Sequence, residues 1–464
     1  MKTYNILEYG ANPQTPNNAV AIQNAIDSCA AAGGGTVWVP PGVYVSGPLE
    51  LRSHVTLQLE AGATLQASQR LEDYPLENDR RTGESGRAGF ITAREAVNIA
   101  ITGRGTVDGS GFTFVSHSEL HHGQDTDIRY TRQGQDFMHP RFGTQHGPLA
   151  HGERPGNLLR FFNCKNVLLS GVTIQNSPTW TVNIYACESV AVLGVHINSQ
   201  ASDRRVPNDD GIDVCRSQRV RIADCDIDTG DDCIAVFGSQ MLAVSNCTLS
   251  SHSSGIRVGY HAGESRDCTF NNLVIRSNRG ICIHVRGEGS VENILFSNLV
   301  LQTRLVTGHW WGKGEPVQIS AMPQDPHAHQ LGRIRNVRFT NVSAEAESGI
   351  VLYGCPESIL EEIVFTNFRL RITNSPLHLS YGGNFDLRGV ADLSQALFQH
   401  DIPAVYGRYF KGLTLQDFKV GWEEGLPDFF NHALQCEHYQ DLVLRNFEGQ
   451  APHPGGQVLA LSEQ

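Results

Sequence analysis

Val167-Leu168-Leu169-Ser170-Gly171-Val172-Thr173-Ile174 returns as Val190-Ala191-Val192-Leu193-Gly194-Val195-His196-Ile197. It returns again as Val220-Arg221-Ile222-Ala223-Asp224-Cys225-Asp226-Ile227 and as Leu242-Ala243-Val244-Ser245-Asn246-Cys247-Thr248-Leu249. Each copy is β-branched and apolar around a central Gly, Asp or Asn, with no helical half. The frame continues around Asn272, Asn298, Asn341, Asn367, Asp417 and Asn446. Successive centres lie 23, 30, 22, 26, 26, 43, 26, 50 and 29 residues apart. The common interval is one coil of a solenoid, and the two long ones mark coils with inserts or a missed coil. Leucine-rich repeats have similar periods, but their Leu-x-x-Leu-x-Leu pattern is absent. The expected fold is all-β, a single-domain right-handed parallel β-helix over residues 1–464. Asparagine suits the repeated bend, because it tolerates left-handed backbone and can bond a neighbouring coil.

A solenoid needs a cap. The sequence predicts an N-terminal capping helix over 17–32, begun by Asn17 or Asn18 and stopped by Gly33-Gly34-Gly35. Its apolar positions are Ala19, Ile22, Ala25, Ile26 and Cys29. Residues 110–155 leave the repeat and contain His117, His121, His122, His139, His146 and His151. They read as an exposed insertion, with a lid over a groove as the sharper alternative.

Composition narrows the function. A formal charge of −12 argues against a nucleic-acid partner. The N-terminus lacks the apolar core of a signal peptide and no stretch is long enough to span a bilayer, so a cytoplasmic location without a membrane partner is expected. Among 11 cysteines, Cys225, Cys247 and Cys268 are spaced by 22 and 21 residues, which predicts stacked reduced thiols. No metal-ligand spacing is present, so no metal or other cofactor is expected. The sequence leaves the oligomeric state open.

The chemistry lies in Asn208-Asp209-Asp210-Gly211-Ile212-Asp213 and Gly230-Asp231-Asp232-Cys233. Asp210 precedes Asp231 by 21 residues and Asp232 by 22, close to one coil. Strands in neighbouring coils stack about 4.7–4.9 Å apart, which makes these carboxylates neighbours. Like-charge repulsion in such a cluster favours holding a proton, so it can supply both an acid and a base. Paired carboxylates are the working groups of glycosidases. The bland alternatives are turn caps and calcium ligands.

These two segments resemble the N-T-D-G and G-D-D signature of glycoside hydrolase family 28, the polygalacturonases and their relatives. Tyr9-Gly10-Ala11, Gly33-Gly34-Gly35-Thr36-Val37 and Pro40-Pro41-Gly42-Val43-Tyr44 also resemble the opening of pectin-degrading β-helix enzymes. The resemblance implies a pectate-lyase-like solenoid and an inverting hydrolase of pectin-type oligosaccharides, and the absent leader and possible lid point to exo-action. It assigns Asp231 as general acid, Asp210 and Asp232 as the groups that activate water, and Asn208 to the substrate site.

The chain departs from the family downstream. Ser253-Ser254-Gly255 stands where the family has Gly-His-Gly, and Cys282-Ile283-His284 where it has the Arg-Ile-Lys clamp for a substrate carboxylate. Arg257 and Arg286 are candidate replacements, with His284 beside them, because arginine binds carboxylates in a fork. Thr307-Gly308-His309-Trp310-Trp311-Gly312-Lys313 reads as a subsite wall, with His309, Trp310, Trp311 and Lys313 meeting sugar, against the alternative of a covering apolar patch. Without the clamp, plain polygalacturonate is expected to be a poor substrate. A polysaccharide lyase or uronate epimerase on the same fold, and a non-catalytic carbohydrate-binding β-helix, are the alternatives.

Overall fold

The computed structural model describes residues 2–77, 86–121, 129–137, 139, 147–199, 205–260, 263–325, 327 and 330–463. The chain forms two compact units. One comprises Met1–Leu120, Pro148–Ala235 and Met241–Cys247, the other His121–Gly147, Val236–Gln240 and Thr248–Gln464. Both are built from stacked parallel strands, as the repeat predicts.

In the first unit three strands make a coil, and each strand pairs with its counterpart one coil on. Ile91–Arg94, Leu159–Phe162, Val182–Tyr185 and Ile212–Cys215 form one ladder. Val97–Gly103, Lys165–Ser170, Glu188–Leu193 and Gln218–Ala223 form the second. Thr106–Asp108, Thr173–Gln175, His196–Asn198 and Asp226–Thr229 form the third. The register repeats the same side-chain type inside, coil after coil: Leu159 on Val182 on Ile212, and Phe161 on Ile184 on Val214. Each buried apolar side chain of this kind contributes about 1.5–3 kcal/mol.

The bends explain the sequence centres. Gly171, Gly194, Asp224, Asn246, Asn272, Asn298, Asn341, Asn367, Asp417 and Asn446 all have left-handed backbone, with φ between 49° and 72°. In the second unit the asparagines also bond coil to coil, Asn341 Nδ2 to Asn298 Oδ1 at 3.1 Å and Asn367 Nδ2 to Asn341 Oδ1 at 3.0 Å.

The capping helix runs Ala19–Ala31, with Ile22, Ala25, Ile26 and Cys29 buried. Its start is divided between two asparagines. Asn17 Oδ1 accepts from the N–H of Ala19 at 2.9 Å, while Asn18 spends its carboxamide on Asn12 N and Val45 O. All eleven cysteines are free, and ten are buried. Cys225 and Cys247 are hydrogen-bonded thiol to thiol in the first unit, and Cys268 is buried in the second.

In the second unit Ser265–Ser277, Val291–Thr303, Ile334–Ala346, Leu360–Ile372 and Val405–Trp422 stack in parallel. Phe270, Phe296, Phe339 and Phe365 form a ring stack through them, with centroids 4.7, 4.9 and 4.8 Å apart. A second ladder joins Ser254–Val258, Arg279–Val285, Val317–Ala321 and Ile350–Tyr353. The intervals of 43 and 50 residues are coils with inserts. The second insert, 373–404, carries the short helix His378–Tyr381 and the antiparallel hairpin Asn384–Asp386/Leu397–Gln399.

Within 110–155, Val115–Leu120 pairs antiparallel with Leu149–His151 in the first unit. Residues 131–137 belong to the second unit and dock on the 373–404 insert. Arg132 reaches Asn384 Oδ1 and Asp401 Oδ1 at 2.9 and 2.6 Å, and the ring of Phe137 lies 5.1 Å from that of Tyr381. His122 and His146 lie outside the described residues.

Candidate active site

The two acid-bearing turns precede strands in successive coils, Asp210 before Ile212–Cys215 and Asp231-Asp232 before Ile234–Phe237. Backbone bonds lock them together. Thr181 N donates to Asp210 O at 2.7 Å, Gly211 N to Asp232 O at 2.9 Å and Ile212 N to Cys233 O at 3.0 Å. A Cβ at Gly211 would sit 2.5 Å from Cys233 O and 2.7 Å from Ile227 Cγ2, so only glycine lets the coils close here. Carboxylate oxygens of Asp210, Asp231 and Asp232 consequently come within 4.8 Å of one another. The three residues are 2, 5 and 1 % exposed. Oxygens this close can hold a water between them or grip a cation, and a chelator separates the two chemistries.

Asn208 enters the turn with φ 56°. Its carboxamide oxygen accepts from Arg154 Nη2 at 3.0 Å, while Arg154 Nη1 donates to Pro207 O at 2.6 Å. Asp209, which has no role in the expected acid chemistry, is wholly buried beside the cluster. Burial pushes its carboxyl up to about 6, against the lowering effect of the Arg205 charge and of backbone N–H donors.

The second unit carries a separate polar centre. Arg257 is half-buried, its guanidinium 4.9 Å from the ring centroid of Phe237 and 5.4 Å from that of Tyr260. In register beside it lie Cys282 and then Gln318. His284 Nε2 lies 3.0 Å from Cys282 Sγ. Burial, then the charges of Arg286, Arg279 and Arg257, hold the imidazole well below its ordinary pKa, so it is neutral. Arg286 is 1 % exposed and donates to Val285 O, Ser320 O, Ser320 Oγ and Leu387 O.

The His309–Lys313 segment divides. Trp310 is 2 % exposed, with its ring 5.5 Å from that of His252. Lys313 is equally buried, donating to Gly312 O at 3.1 Å with Nζ over the rings of Phe137 and Tyr381. His309 and Trp311 remain half-buried, His309 within 3.1 Å of Arg388 Nη1 and Trp311 beneath the same guanidinium at 4.8 Å. Burial and the Arg388 charge also keep His309 well below its ordinary pKa. Trp310 and Lys313, expected on a subsite wall, and Arg286, expected as a carboxylate clamp, are thus buried as deeply as the three aspartates. The insert and the 131–137 segment supply the cover that the repeat pattern could not reveal.

Residues 29–347 match the family model of glycosyl hydrolases family 28. The chain belongs to that family. A probable polygalacturonase of Vitis vinifera is 26 % identical over 385 residues, covering 76 % of this chain and 71 % of that protein. The exo-poly-alpha-D-galacturonosidase of Dickeya chrysanthemi is 27 % identical over 349 residues, covering 66 % of this chain and 57 % of that one. Among solved structures, the family 28 exopolygalacturonase of Yersinia enterocolitica superposes with a TM-score of 0.69 at 20 % identity, covering 95 % of this chain and 78 % of that one. The fold is thus the mostly-β, right-handed parallel β-helix of family 28, with its N-terminal helix.

This family 28 hydrolase also holds buried polar residues that no motif marks. Asp386 and Arg388 form a buried ion pair at 2.8 Å. Asp386 also accepts from Gly312 N at 2.5 Å, and its own N–H donates to Glu315 Oε1 at 2.8 Å. Arg279 bonds Ser254 Oγ at 3.0 Å and Gln318 Oε1 at 2.6 Å. Only Asp209, adjacent to Asp210 in the signature, had a sequence signal that could have singled it out.

Proposed function

We propose that this enzyme hydrolyses pectin-type galacturonan oligosaccharides from a chain end, with inversion at the anomeric carbon. The observation that carries the proposal is the Asp210, Asp231 and Asp232 cluster, within 4.8 Å on a family 28 fold. Asp231 gives its proton to the glycosidic oxygen as the bond from the anomeric carbon to that oxygen breaks. A water held by Asp210 and Asp232 attacks the anomeric carbon from the opposite face and loses its proton to one of them. One water is added, and the departing sugar leaves as a neutral alcohol. Likeness to the Dickeya chrysanthemi exo-enzyme supports action at a chain end.

The carboxyl groups of inverting enzymes usually stand roughly 6.5–9.5 Å apart, so the tight spacing here makes the product anomer the decisive test. Proton NMR of a fresh digest of an α-linked galacturonan oligomer is expected to show the β-anomer first, with monomer accumulating from the earliest times. An α-anomer first, or a ladder of mid-length products, overturns inversion or exo-action respectively. Product absorbance of an unsaturated uronate, or loss of activity on chelation, would indicate the lyase instead.

Arg257 is the candidate for binding a uronate carboxylate. A hydrogen bond to a charged group is worth about 1.5–3 kcal/mol, so Arg257→Ala is expected to raise KM for an acidic oligomer roughly 10- to 100-fold. A neutral glycoside should be unaffected. An equal change for both substrates would remove Arg257 from carboxylate recognition.

A further inference from the structure

Asp209 carries a carboxylate that the hydrolytic scheme does not use. In the N-T-D-G signature its position is threonine, so this chain places an acid where the pattern has a hydroxyl. The side chain is fully buried. Oδ1 accepts from the backbone N–H groups of Gly230 at 2.9 Å and Asp231 at 2.8 Å, and Oδ2 accepts from Gly230 at 3.1 Å. Two successive peptide N–H groups thus converge on one carboxylate across the gap between coils.

The rest of the turn is pinned in the same manner. The Thr229 hydroxyl donates to Asp231 O at 2.7 Å, and Asp231 Oδ1 accepts from Asp232 N at 3.1 Å. Asp231 is therefore held at its own N–H by Asp209, at its carbonyl by Thr229 and at its side chain by Asp232. The Asp209 carboxylate reaches the Gly230–Asp231 peptide from the preceding coil, where Asp210 sits, beside the backbone bond from Gly211 N to Asp232 O. Bonds from N–H donors to an ionised acceptor are shorter and about twice as strong as neutral ones. Arg205, 4 % exposed and bonded to Asp228 Oδ1 at 2.9 Å, supplies the nearby positive charge that offsets burying an anion here.

We propose that Asp209 is a positioning residue for the general acid, its carboxylate holding the Gly230–Asp231 peptide so that Asp231 meets the glycosidic oxygen. The inference rests on Asp231 being that acid. A misplacement of about 1 Å in such a group can cost 10²-fold in rate. Asparagine in place of Asp209 has one acceptor oxygen, and its amide nitrogen opposes the N–H donors. Threonine keeps one acceptor but loses the charge.

The test compares Asp209→Asn, Asp209→Thr, Asp209→Ala and Asp231→Asn on a galacturonan oligomer and on an aryl galacturonide with an acidic leaving group. Expected for Asp209→Asn and Asp209→Ala is a kcat about 10- to 100-fold lower on the oligomer with KM within about twofold. The loss should be much smaller on the aryl substrate, which needs little protonation. Asp209→Thr should fall between wild type and alanine, and it carries the test if the other variants do not fold. Equal losses on both substrates, or unchanged kcat with a lower melting temperature, overturn the inference and leave Asp209 a structural acid. If Asp209 variants behave as wild type while Asp231→Asn is inactive, the inference alone fails. If Asp231→Asn is itself fully active, the reading of the site fails and takes the inference with it.

Discussion

Asp231→Asn is expected to lower the hydrolysis rate of a galacturonan oligomer by about 10²–10⁴, the usual cost of losing a positioned acid. The fold should survive the change. Asparagine keeps an oxygen for the bond from Asp232 N, and the Asp231 backbone stays anchored by Asp209 and Thr229. Asp210→Asn and Asp232→Asn should lose activity to a similar degree for a different reason, as the groups proposed to activate the water. Leaving-group dependence separates the two roles. An aryl substrate with an acidic phenol departs without help and should recover most of the Asp231→Asn loss, but little of the loss in the other two. Full activity in all three variants would return these residues to turn caps, and equal recovery in all three would dissolve the division of labour.

Asp386→Asn is expected to be the most destabilising single change in the second unit. Its carboxylate is fully buried and accepts four hydrogen bonds: Arg388 N at 3.0 Å, Arg388 Nε at 2.9 Å, Arg388 Nη2 at 2.8 Å and Gly312 N at 2.5 Å. Burial on its own would raise the Asp386 pKa, but the Arg388 guanidinium, with Arg279 and Lys313, draws it far below the ordinary carboxylate range. Removing one partner strands a buried arginine, at a cost of about 3–5 kcal/mol. The sign of the pH dependence follows from the depressed folded-state value. The contribution is fully present above the unfolded pKa of about 3.9 and is lost as pH falls below it. Melting temperatures of wild type and variant should therefore differ most near neutrality and converge on acidification below about pH 4. A constant difference across that range would show that the charge is not what the pair contributes.

What the sequence revealed, and what it hid, follows from the reach of each interaction. Stacked coils convert a spacing of one repeat into a spatial contact, so subtraction alone brought Asp210 beside Asp231 and Asp232. The ten bend residues were legible for a related reason, since left-handed backbone selects Gly, Asn and Asp locally. Arg388 had no such signature. It meets His309 across 79 residues, through an insert whose own course no periodicity describes. Trp310 and Trp311 illustrate a second blind spot. The two side chains are neighbours and chemically identical, yet Trp310 is buried with its ring against His252, while Trp311 lies under the Arg388 guanidinium and stays half-buried. Asp209 was visible, but its function depends on which N–H groups it faces, and a one-dimensional pattern does not encode that direction.

The 373–404 insert leaves the solenoid after Ile372 and rejoins it at Val405, and both residues sit in unbroken ladders. On either side of it, the Phe365, Phe368 and Phe418 rings still pack against one another. A coil therefore tolerates an excursion of some thirty residues without passing any change of register to its neighbours. Loop content and scaffold become separable heritable traits. A lineage can redraw the cover over one rung while the ladders on either side of it are copied unchanged.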